Sequence, residues 1–297
     1  MLINPSRETF LNFPSATMPD KTVTVFLPES AVPLHQRYPV VYLLGAIPKD
    51  AEAAQAVLDK SGRKAIFVGI NFTDKDLANV SKLTLFFAQE LIPYIDTNYS
   101  TLTDAPYRGV AALGGAGAKA LQMLLARKDL FGRAVLVHGG EEALLWANMD
   151  PSMRILAAGT RAELAAWQTS WQQLNGEYGP DFVTKIDPDA TLFSALNLDY
   201  LFAPAEEVTV VKVQGSTVPN KLSLSANEKA VLTLQATLAN GQQFDVLGLD
   251  LRISPPYVSW DAATGELTPI AGAATGKVKL SVTVDNVDFT TKIKLKK

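Results

Sequence analysis

The sequence predicts an α/β domain followed by an all-β domain, and two observations indicate this. Up to about residue 204, apolar strand-like runs alternate with helical segments, which indicates βαβ units and a mainly parallel sheet flanked by helices. From about Glu206, apolar and polar residues alternate with period two between frequent turns, which is typical of a β-sandwich. We therefore expect domains at residues 1–204 and 207–297, joined by a short linker, since 297 residues suffice for two cores.

The elements of the first domain follow from its apolar runs. Runs of four to six residues predict buried strands, and longer runs with helical spacing predict helices. The predicted strands cover residues 22–27, 40–44, 65–70, 110–113, 134–137 and 155–158. The predicted helices cover residues 83–94, 121–127 and 162–174.

The second domain has only strand and turn signals. Alternating runs predict strands at residues 208–213, 221–224, 230–238 and 277–284, and the turns are marked by Asn240-Gly241, Thr264-Gly265 and Thr275-Gly276. Short strands at regular spacing without helices between them predict an all-β sandwich of about 90 residues.

The most informative segment of the chain is Arg108-Gly-Val-Ala-Ala-Leu-Gly-Gly-Ala-Gly-Ala-Lys-Ala-Leu121. It reads as a strand, a turn of small residues and a helix, which is the context in which α/β-hydrolases present the serine of Gly-x-Ser-x-Gly. The matching five residues run from Ala112 to Ala116, so Gly114 stands at the nucleophile position. Glycine has no side chain that could attack a substrate.

Several phrases of the first domain carry a family resemblance over about residues 8–202. These are Val23-Thr-Val-Phe-Leu-Pro28, Arg37-Tyr-Pro-Val-Val-Tyr-Leu-Leu44, Phe87-Ala-Gln-Glu-Leu-Ile-Pro-Tyr-Ile-Asp96 and Asp129-Leu-Phe-Gly-Arg-Ala-Val-Leu-Val137. The domain resembles the putative-esterase branch of the α/β-hydrolases, which includes esterase D, enterochelin esterases and feruloyl esterases. The resemblance implies an α/β-hydrolase-like sheet.

The resemblance also implies catalytic positions, and this chain departs from the family at each of them. The family's oxyanion loop corresponds to Gly45-Ala46, the nucleophile to Gly114 and the acid to Ala162, with Glu163 one place later. The family's late histidine falls in residues 186–194, which contain none. We therefore expect a catalytically degenerate domain, a pseudoenzyme rather than an enzyme, with no cofactor.

The chain has two histidines, His35 and His138, and both precede the position of the family's acid. His35 lies in a polar loop, whereas His138 ends a strand at the functional edge of such a sheet. We take His138, Glu141, Glu142 and Trp146 as a candidate ligand groove. His138, Glu141 and Glu142, together with Asp187 and Asp189, could form a metal site or supply a pair of glycosidase carboxylates, but their spacing favours neither, and we expect no metal.

The second domain resembles the bacterial Ig-like group 2 family. The phrases that carry this resemblance are Leu232-Thr-Leu-Gln-Ala-Thr-Leu-Ala-Asn-Gly241, Val258-Ser-Trp-Asp261, Thr264-Gly-Glu-Leu-Thr268 and Ala274-Thr-Gly-Lys-Val-Lys-Leu-Ser-Val282. The resemblance implies an Ig-like sandwich of a kind found in bacterial surface proteins and phage virions. None of its motif residues is chemically reactive.

Composition narrows the function classes further. A net charge of −3 is not that of a protein that binds nucleic acid, so we expect no nucleic-acid partner. The absence of cysteine excludes thiolate chemistry. No apolar run is long enough to insert into a membrane. The sequence also shows no signal peptide.

Two functions remain from the sequence. The first is a structural or attachment role outside the cell, on a bacterial cell surface or on a virion, with other surface proteins, self-association or a glycan as partners. The alternative is an esterase active on acylated polysaccharide, which would take its nucleophile from a hydroxyl elsewhere, for instance Ser194, Thr160 or Thr191.

Overall fold

The computed structural model describes residues 7–10, 12–28, 36–45, 50–125, 127–139, 153–175, 181–220, 223–247 and 251–296. Contacts divide the chain into two compact units. The first unit comprises Met1–Ala158 and Asp189–Ala203, and the second comprises Gly159–Pro188 and Pro204–Lys297. Residues 159–188 therefore group with the C-terminal strands. The predicted domains at residues 1–204 and 207–297 were drawn from sequence resemblance and stay a prediction.

The first unit is built on a mixed sheet of seven strands. Their order is β1-β2-β4-β3-β5-β6-β7. The pairs β1–β2 and β2–β4 are antiparallel, whereas β4, β3, β5, β6 and β7 run parallel. The strand bounds are β1 (Arg7–Phe10), β2 (Val23–Phe26), β3 (Val40–Leu44), β4 (Ile66–Ile70), β5 (Arg108–Leu113), β6 (Arg133–Val137) and β7 (Arg154–Gly159).

Helices flank this sheet, as the sequence predicts. Helices α2 and α3 contact α5, which itself packs on β5 and β6, while α1 and α7 contact each other and strands of the sheet. The bounds are α1 (Ala51–Lys60), α2 (Asp74–Ala78), α3 (Val80–Leu85), α4 (Ile92–Asn98), α5 (Gly114–Leu125), α7 (Leu192–Ala195) and α8 (Leu198–Leu201). The coarse prediction of an α/β-hydrolase-like sheet with helices on it is confirmed.

The helix predicted over residues 83–94 is interrupted by a π-helical segment at Phe86–Leu91. The cause is Pro93, which has no N–H to donate and whose ring would clash with the preceding turn of a regular α-helix. The segment buries Phe86 and Phe87 against the sheet, and Phe87 meets Tyr42 and Phe131 edge to face at 5.5 and 5.7 Å between ring centroids.

A buried ion pair fixes the start of β5, the strand that leads to the turn at Gly114. The Arg108 guanidinium donates to Asp96 Oδ2 at 2.9 Å, to the Thr103 carbonyl at 2.6 Å and to the Leu130 carbonyl at 3.0 Å. The Arg108 side chain is 4% exposed and that of Asp96 is 19% exposed. The pair therefore ties α4 and the loop after α5 to the first residue of β5.

The N-terminal segment of the first unit is held by Glu90, which belongs to the Glu-Leu-Ile-Pro phrase. Its carboxylate accepts hydrogen bonds from the Ser15 hydroxyl and from the Thr17 amide and hydroxyl, the last two at 3.0 and 2.6 Å. Burial raises the pKa of Glu90, but the bonds from Ser15 and Thr17 outweigh it, so the pKa is lowered.

The second unit combines a helix and strand from the middle of the chain with the C-terminal strands. One sheet has the order β8-β12-β11-β15-β14, with β9 also paired to β11, and the other has the order β10-β17-β16-β13. The elements are α6 (Arg161–Asn175), β8 (Phe182–Ile186), β9 (Val210–Val218), β10 (Ser223–Leu224), β11 (Ala230–Leu238), β12 (Gln243–Val246), β13 (Arg252–Ser254), β14 (Val258–Asp261), β15 (Glu266–Pro269), β16 (Gly276–Val284) and β17 (Val287–Leu295).

Strict alternation builds the core of this unit. In β11, the residues from Ala230 to Leu238 alternate between buried and half-buried, as the period-two pattern of the sequence predicts. β8 joins the unit through Asp245, whose Oδ2 accepts from the Ile186 amide at 2.7 Å and whose carbonyl accepts from the Thr184 hydroxyl at 2.6 Å. The assignment of these strands to an Ig-like sandwich stays a prediction.

We expect Arg108→Met to lower the free energy of unfolding by about 3 kcal/mol, because it leaves the Asp96 carboxylate and two carbonyls without their buried donor. The matched control is Arg127→Met, which removes a pair with Asp129 whose side chains are 41% and 61% exposed. That control should cost no more than about 0.5 kcal/mol. Urea unfolding of both variants measures the difference, and equal losses would contradict the structural role of Arg108.

We expect Glu90→Gln to make the free energy of unfolding less dependent on pH in the acid range. Since the pKa of Glu90 is lower in the folded protein than in the unfolded chain, its contribution is complete above the unfolded value of about 4.3 and disappears as the pH falls through the folded value. The variant should lose about 1 kcal/mol at pH 7 and less below pH 4. Unfolding at pH 3 to 7 tests this, with the exposed Glu206→Gln as control, whose profile should match that of the unaltered protein.

Candidate functional site

The candidate site lies at the edge where the parallel strands of the first unit end. In the register of the sheet, Leu43 of β3 pairs with Ala111 of β5, and Leu113 of β5 pairs with Val137 of β6. Neighbouring strands lie about 4.8 Å apart. The residues that follow these strand ends, Gly45, Gly114 and His138, therefore lie side by side at one edge, as the sequence predicts for the last two.

Gly114 forms the turn between β5 and α5. Its φ is +75°, a left-handed conformation that a residue with a side chain adopts only with strain, and it is the first residue of α5. Among the described residues, a Cβ atom built on Gly114 would meet nothing within 4 Å. The part of the chain that the structure describes therefore leaves open the space that a side chain would occupy at the nucleophile position.

Gly45 has the same two properties at the end of β3. Its φ is +95°, a Cβ atom there would also meet no described residue within 4 Å, and its N–H donates to the carbonyl of Ile70 at 2.8 Å. Because that N–H is bonded within the fold, Gly45 has no amide proton free for a substrate. Ala46, the second residue of the family's oxyanion loop, lies outside the described residues.

His138 follows β6 directly and has a φ of +48°, uncommon for a residue other than glycine. Its N–H donates to the Ala158 carbonyl at 3.1 Å, and the residue is half-buried. A Cβ atom on Gly115 would lie 3.8 Å from the Gly139 carbonyl oxygen, so the chain after His138 passes the first turn of α5. The other predicted groove residues, Glu141, Glu142 and Trp146, lie outside the described residues, as does His35.

The first turn of α5 supplies hydrogen-bond donors at this edge. The first four N–H groups of an α-helix have no partner within the helix, and the helix dipole places a partial positive charge there. A helix of twelve residues that begins at Gly114 therefore presents donors to an anionic group beside the open space. Sequence reasoning missed Leu113, a residue of the predicted strand whose side chain is 48% exposed next to this turn.

The predicted acid position lies in the second unit, at the start of α6. Ala162 is exposed on the first helical turn. The adjacent Glu163 carboxylate accepts from the Thr160 hydroxyl and from the Thr160 amide, both at 2.8 Å, and the Glu163 amide donates to that hydroxyl at 3.4 Å. Thr160 and Glu163 thus form a capping box that begins the helix.

The other two candidate hydroxyls cap a helix of the first unit. The Ser194 amide donates to the Thr191 hydroxyl at 3.1 Å, and the Thr191 amide donates to the Ser194 hydroxyl at 2.8 Å. Both hydroxyls accept bonds that start α7, and within the described ranges no carboxylate or imidazole is bonded to either. Of the three hydroxyls, that of Thr160 is the one bonded to a described group that could take its proton.

Two tryptophans of α6 have structural roles. Trp167 is fully buried and Trp171 stacks on Phe182, with 5.4 Å between ring centroids, so both pack within the second unit rather than forming a platform for sugars.

Across the described ranges, no three His, Asp or Glu side chains come together as a metal site requires. No described helix combines the length and the apolar character needed to cross a bilayer.

Solved structures of the same fold include hydrolases, and this likeness defines the class of this chain as an α/β-hydrolase fold. An IroE-like serine hydrolase from Shewanella oneidensis matches 66% of this chain and 78% of its own, at 16% identity and a TM-score of 0.50. The enterobactin esterase FES from Shigella flexneri matches 66% and 58% respectively, at 16% identity and a TM-score of 0.51. The BES protein from Bacillus cereus matches 71% and 98%, at 13% identity and a TM-score of 0.50.

The chain belongs to the putative esterase family, because the model of that family matches residues 15–177, more than half of its length. The recognition of the first domain from its Glu-Leu-Ile-Pro and Asp-Leu-Phe-Gly phrases is thereby confirmed. No curated protein matches the sequence.

The family match corrects the expectation that the chain is not an enzyme. Membership of an esterase family, together with solved esterases of the same fold, points to a hydrolase. The expectation rested on Gly114, Ala162 and the missing late histidine, and it took the absence of the family's usual groups as the absence of chemistry. The structural or attachment role has no support from these matches, whereas the alternative of an esterase has.

Proposed function

We propose that the chain hydrolyses carboxylic esters at the turn between β5 and α5. The observation that carries the proposal is the turn itself. A left-handed Gly114 leaves a space beside the N-terminus of α5, at the strand-to-helix turn where α/β-hydrolases carry their nucleophile. With no side chain at this position, the nucleophile is a water molecule in the open space rather than a serine hydroxyl.

The first turn of α5 stabilises the charge that develops during attack. As water adds to the ester carbonyl, the carbonyl oxygen becomes an oxyanion, and amide protons directed at it contribute most when they are already in place. The N–H of Gly115, next after the open position, is the donor that an α/β-hydrolase uses at this point. The helix dipole adds to the same effect.

His138 is the base of the proposed reaction. It accepts a proton from the attacking water as the new carbon–oxygen bond forms, and it returns that proton to the alkoxide as the bond to the alcohol breaks. The products are a carboxylic acid and an alcohol, and the imidazole ends the cycle neutral. No covalent acyl-enzyme forms.

Leu113 suggests where the acyl group lies. Leu113 directly precedes Gly114 in the chain, and its exposed side chain offers an apolar surface to the acyl part of the ester. The alcohol part is a sugar hydroxyl of an acylated polysaccharide. The resemblance of the domain to a family that includes feruloyl esterases supports this choice.

A second candidate uses Thr160 as a covalent nucleophile. Its hydroxyl lies 2.8 Å from Glu163 Oε2, so a carboxylate is in place to accept the proton. This route passes through an acyl-enzyme, which releases the alcohol in a burst before the acid. The route through water releases both products together.

We expect His138→Asn to lower kcat for nitrophenyl butyrate about 100-fold, the usual contribution of a general base. Asparagine tolerates the left-handed backbone at this position, so the fold should be retained. Stopped-flow release of nitrophenol measures both the rate and the absence of a burst. A burst that disappears in Thr160→Val would contradict the route through water and establish the second candidate.

We expect Gly114→Ala to lower kcat at least tenfold, because the methyl group fills the position of the attacking water. The matched control is Gly241→Ala, since Gly241 has a φ of +83° and equally open surroundings in the second unit. Both variants should lose about 1–2 kcal/mol of stability from backbone strain. If both lose the same activity, or if the unaltered protein hydrolyses no ester faster than the His138→Asn variant, the proposal is wrong.

A further inference from the structure

The outward face of the four-stranded sheet in the second unit carries a concentration of positive charge. The inward side chains of its two central strands are apolar and buried, among them Val278, Leu280 and Ile293. The outward positions hold cationic side chains instead, all of them exposed. We call the set the lysine face, and it consists of Arg252, Lys277, Lys279, Lys292, Lys294 and Lys296.

The register of the central strands places like charges directly opposite each other. Lys277 of β16 pairs with Lys294 of β17, and Lys279 pairs with Lys292. Directly opposed residues of an antiparallel pair have Cβ atoms about 4.5–5.5 Å apart, and like charges at such positions are destabilising. The sheet therefore anchors four lysine side chains close together, at a cost to its own stability.

No carboxylate of the described residues is paired with this charge. Among the residues that the structure describes, none of the six cations of the lysine face takes part in an ion pair or a side-chain hydrogen bond. The acidic residue of β17, Asp288, accepts from the Thr283 hydroxyl at 2.6 Å. It precedes Lys292 by four residues, about 13 Å along the strand.

The lysine face also contains a shallow depression. Lys277, Lys292, Lys294 and Lys296 line an open depression of about 540 Å³ together with Ser223. Ser223 pairs with Lys294 in the sheet, and Ser254 pairs with Lys279 on the opposite side. Each of the two rows of lysines thus ends at a serine hydroxyl, which can both donate and accept a hydrogen bond.

We propose that the lysine face binds a linear acidic polysaccharide, one that carries carboxylate or sulfate groups along a chain of hydroxylated sugars. The anionic groups would meet the paired ammonium groups, which are compact point charges, and the sugar hydroxyls would meet Ser223 and Ser254. The pair Lys277–Lys294 and the pair Lys279–Lys292 are two residues, about 7 Å, apart along the strands. This repeated spacing of positive charge suits a polymer with repeated anionic groups better than a single ion.

Two other polyanions fit the described residues less well. Single-stranded nucleic acid is bound through aromatic side chains on which bases stack, and none of the outward positions from Lys277 to Lys296 holds an aromatic residue. Proteins that bind a membrane surface commonly insert apolar side chains between the lipids, and none of the exposed large apolar residues that the structure describes lies on β16 or β17. The proposal uses no residue of the proposed ester site, so neither depends on the other.

The test measures binding of polygalacturonate to the full chain at 50 and 300 mM NaCl. The variant is Lys277→Glu/Lys279→Glu, which turns both like-charge pairs into pairs of opposite charge. We expect affinity to fall at least 20-fold while the melting temperature stays equal or rises, since the repulsion between the strands is removed. A structural role alone would not weaken binding while stabilising the fold.

The matched control is Lys75→Glu/Lys212→Glu, which changes the net charge equally at exposed lysines outside the face. It should bind polygalacturonate within about twofold of the unaltered protein. The proposal is overturned if the control weakens binding as much, if polygalacturonate does not bind, or if a 20-nucleotide DNA strand or phosphatidylglycerol vesicles bind more tightly. Hydrolysis of nitrophenyl butyrate should be the same in both double variants, so failure of this proposal is distinct from failure of the ester hydrolase.

Discussion

The first unit depends on a backbone constraint at one residue, Gly114, where β5 ends and α5 begins. The reversal is made within a single left-handed residue, with φ at +75°. Because the turn is so short, the N-terminus of α5 is placed at the edge of the sheet, beside the residues that end β3 and β6. The small residues that follow Gly114 let this helix start lie close to the Gly139 carbonyl.

The same turn explains why the absence of a serine does not decide the chemistry. In ester hydrolysis, water is the final acceptor of the acyl group whether or not a side chain carries it in between. A serine divides the reaction into two steps, whereas the oxyanion needs stabilisation in either route. The donors of α5 belong to the backbone, so they persist when the nucleophile position becomes glycine. The expectation of an inactive domain considered the missing catalytic side chains and left out the backbone N–H groups of α5, which do not depend on side chains.

Local patterns of the sequence predicted most of the elements, and what they missed is non-local. Buried runs marked the strands, and the place of His138 at the end of a strand located it beside Gly114. The left-handed backbone at His138 has no signal in the sequence, because nothing in its residue type requires it. The grouping of α6 and β8 with the C-terminal strands depends on contacts such as Thr184 with Asp245, 61 residues apart.

The lysine face shows the same limit, since its alternation is visible in the sequence but its opposed pairs appear only with the register of β16 and β17. Lysine on a sheet often protects an edge strand from pairing with another chain. That explanation does not cover Lys279 and Lys294, because each has an outer strand paired beside it, with Ser254 of β13 and Ser223 of β10 as the partners. Solubility does not explain the opposed pairs either, because acidic residues serve solubility better and one Glu in each pair would have removed the repulsion. Like charges that cost stability, two of them within the paired part of the sheet, are best explained by an anionic ligand.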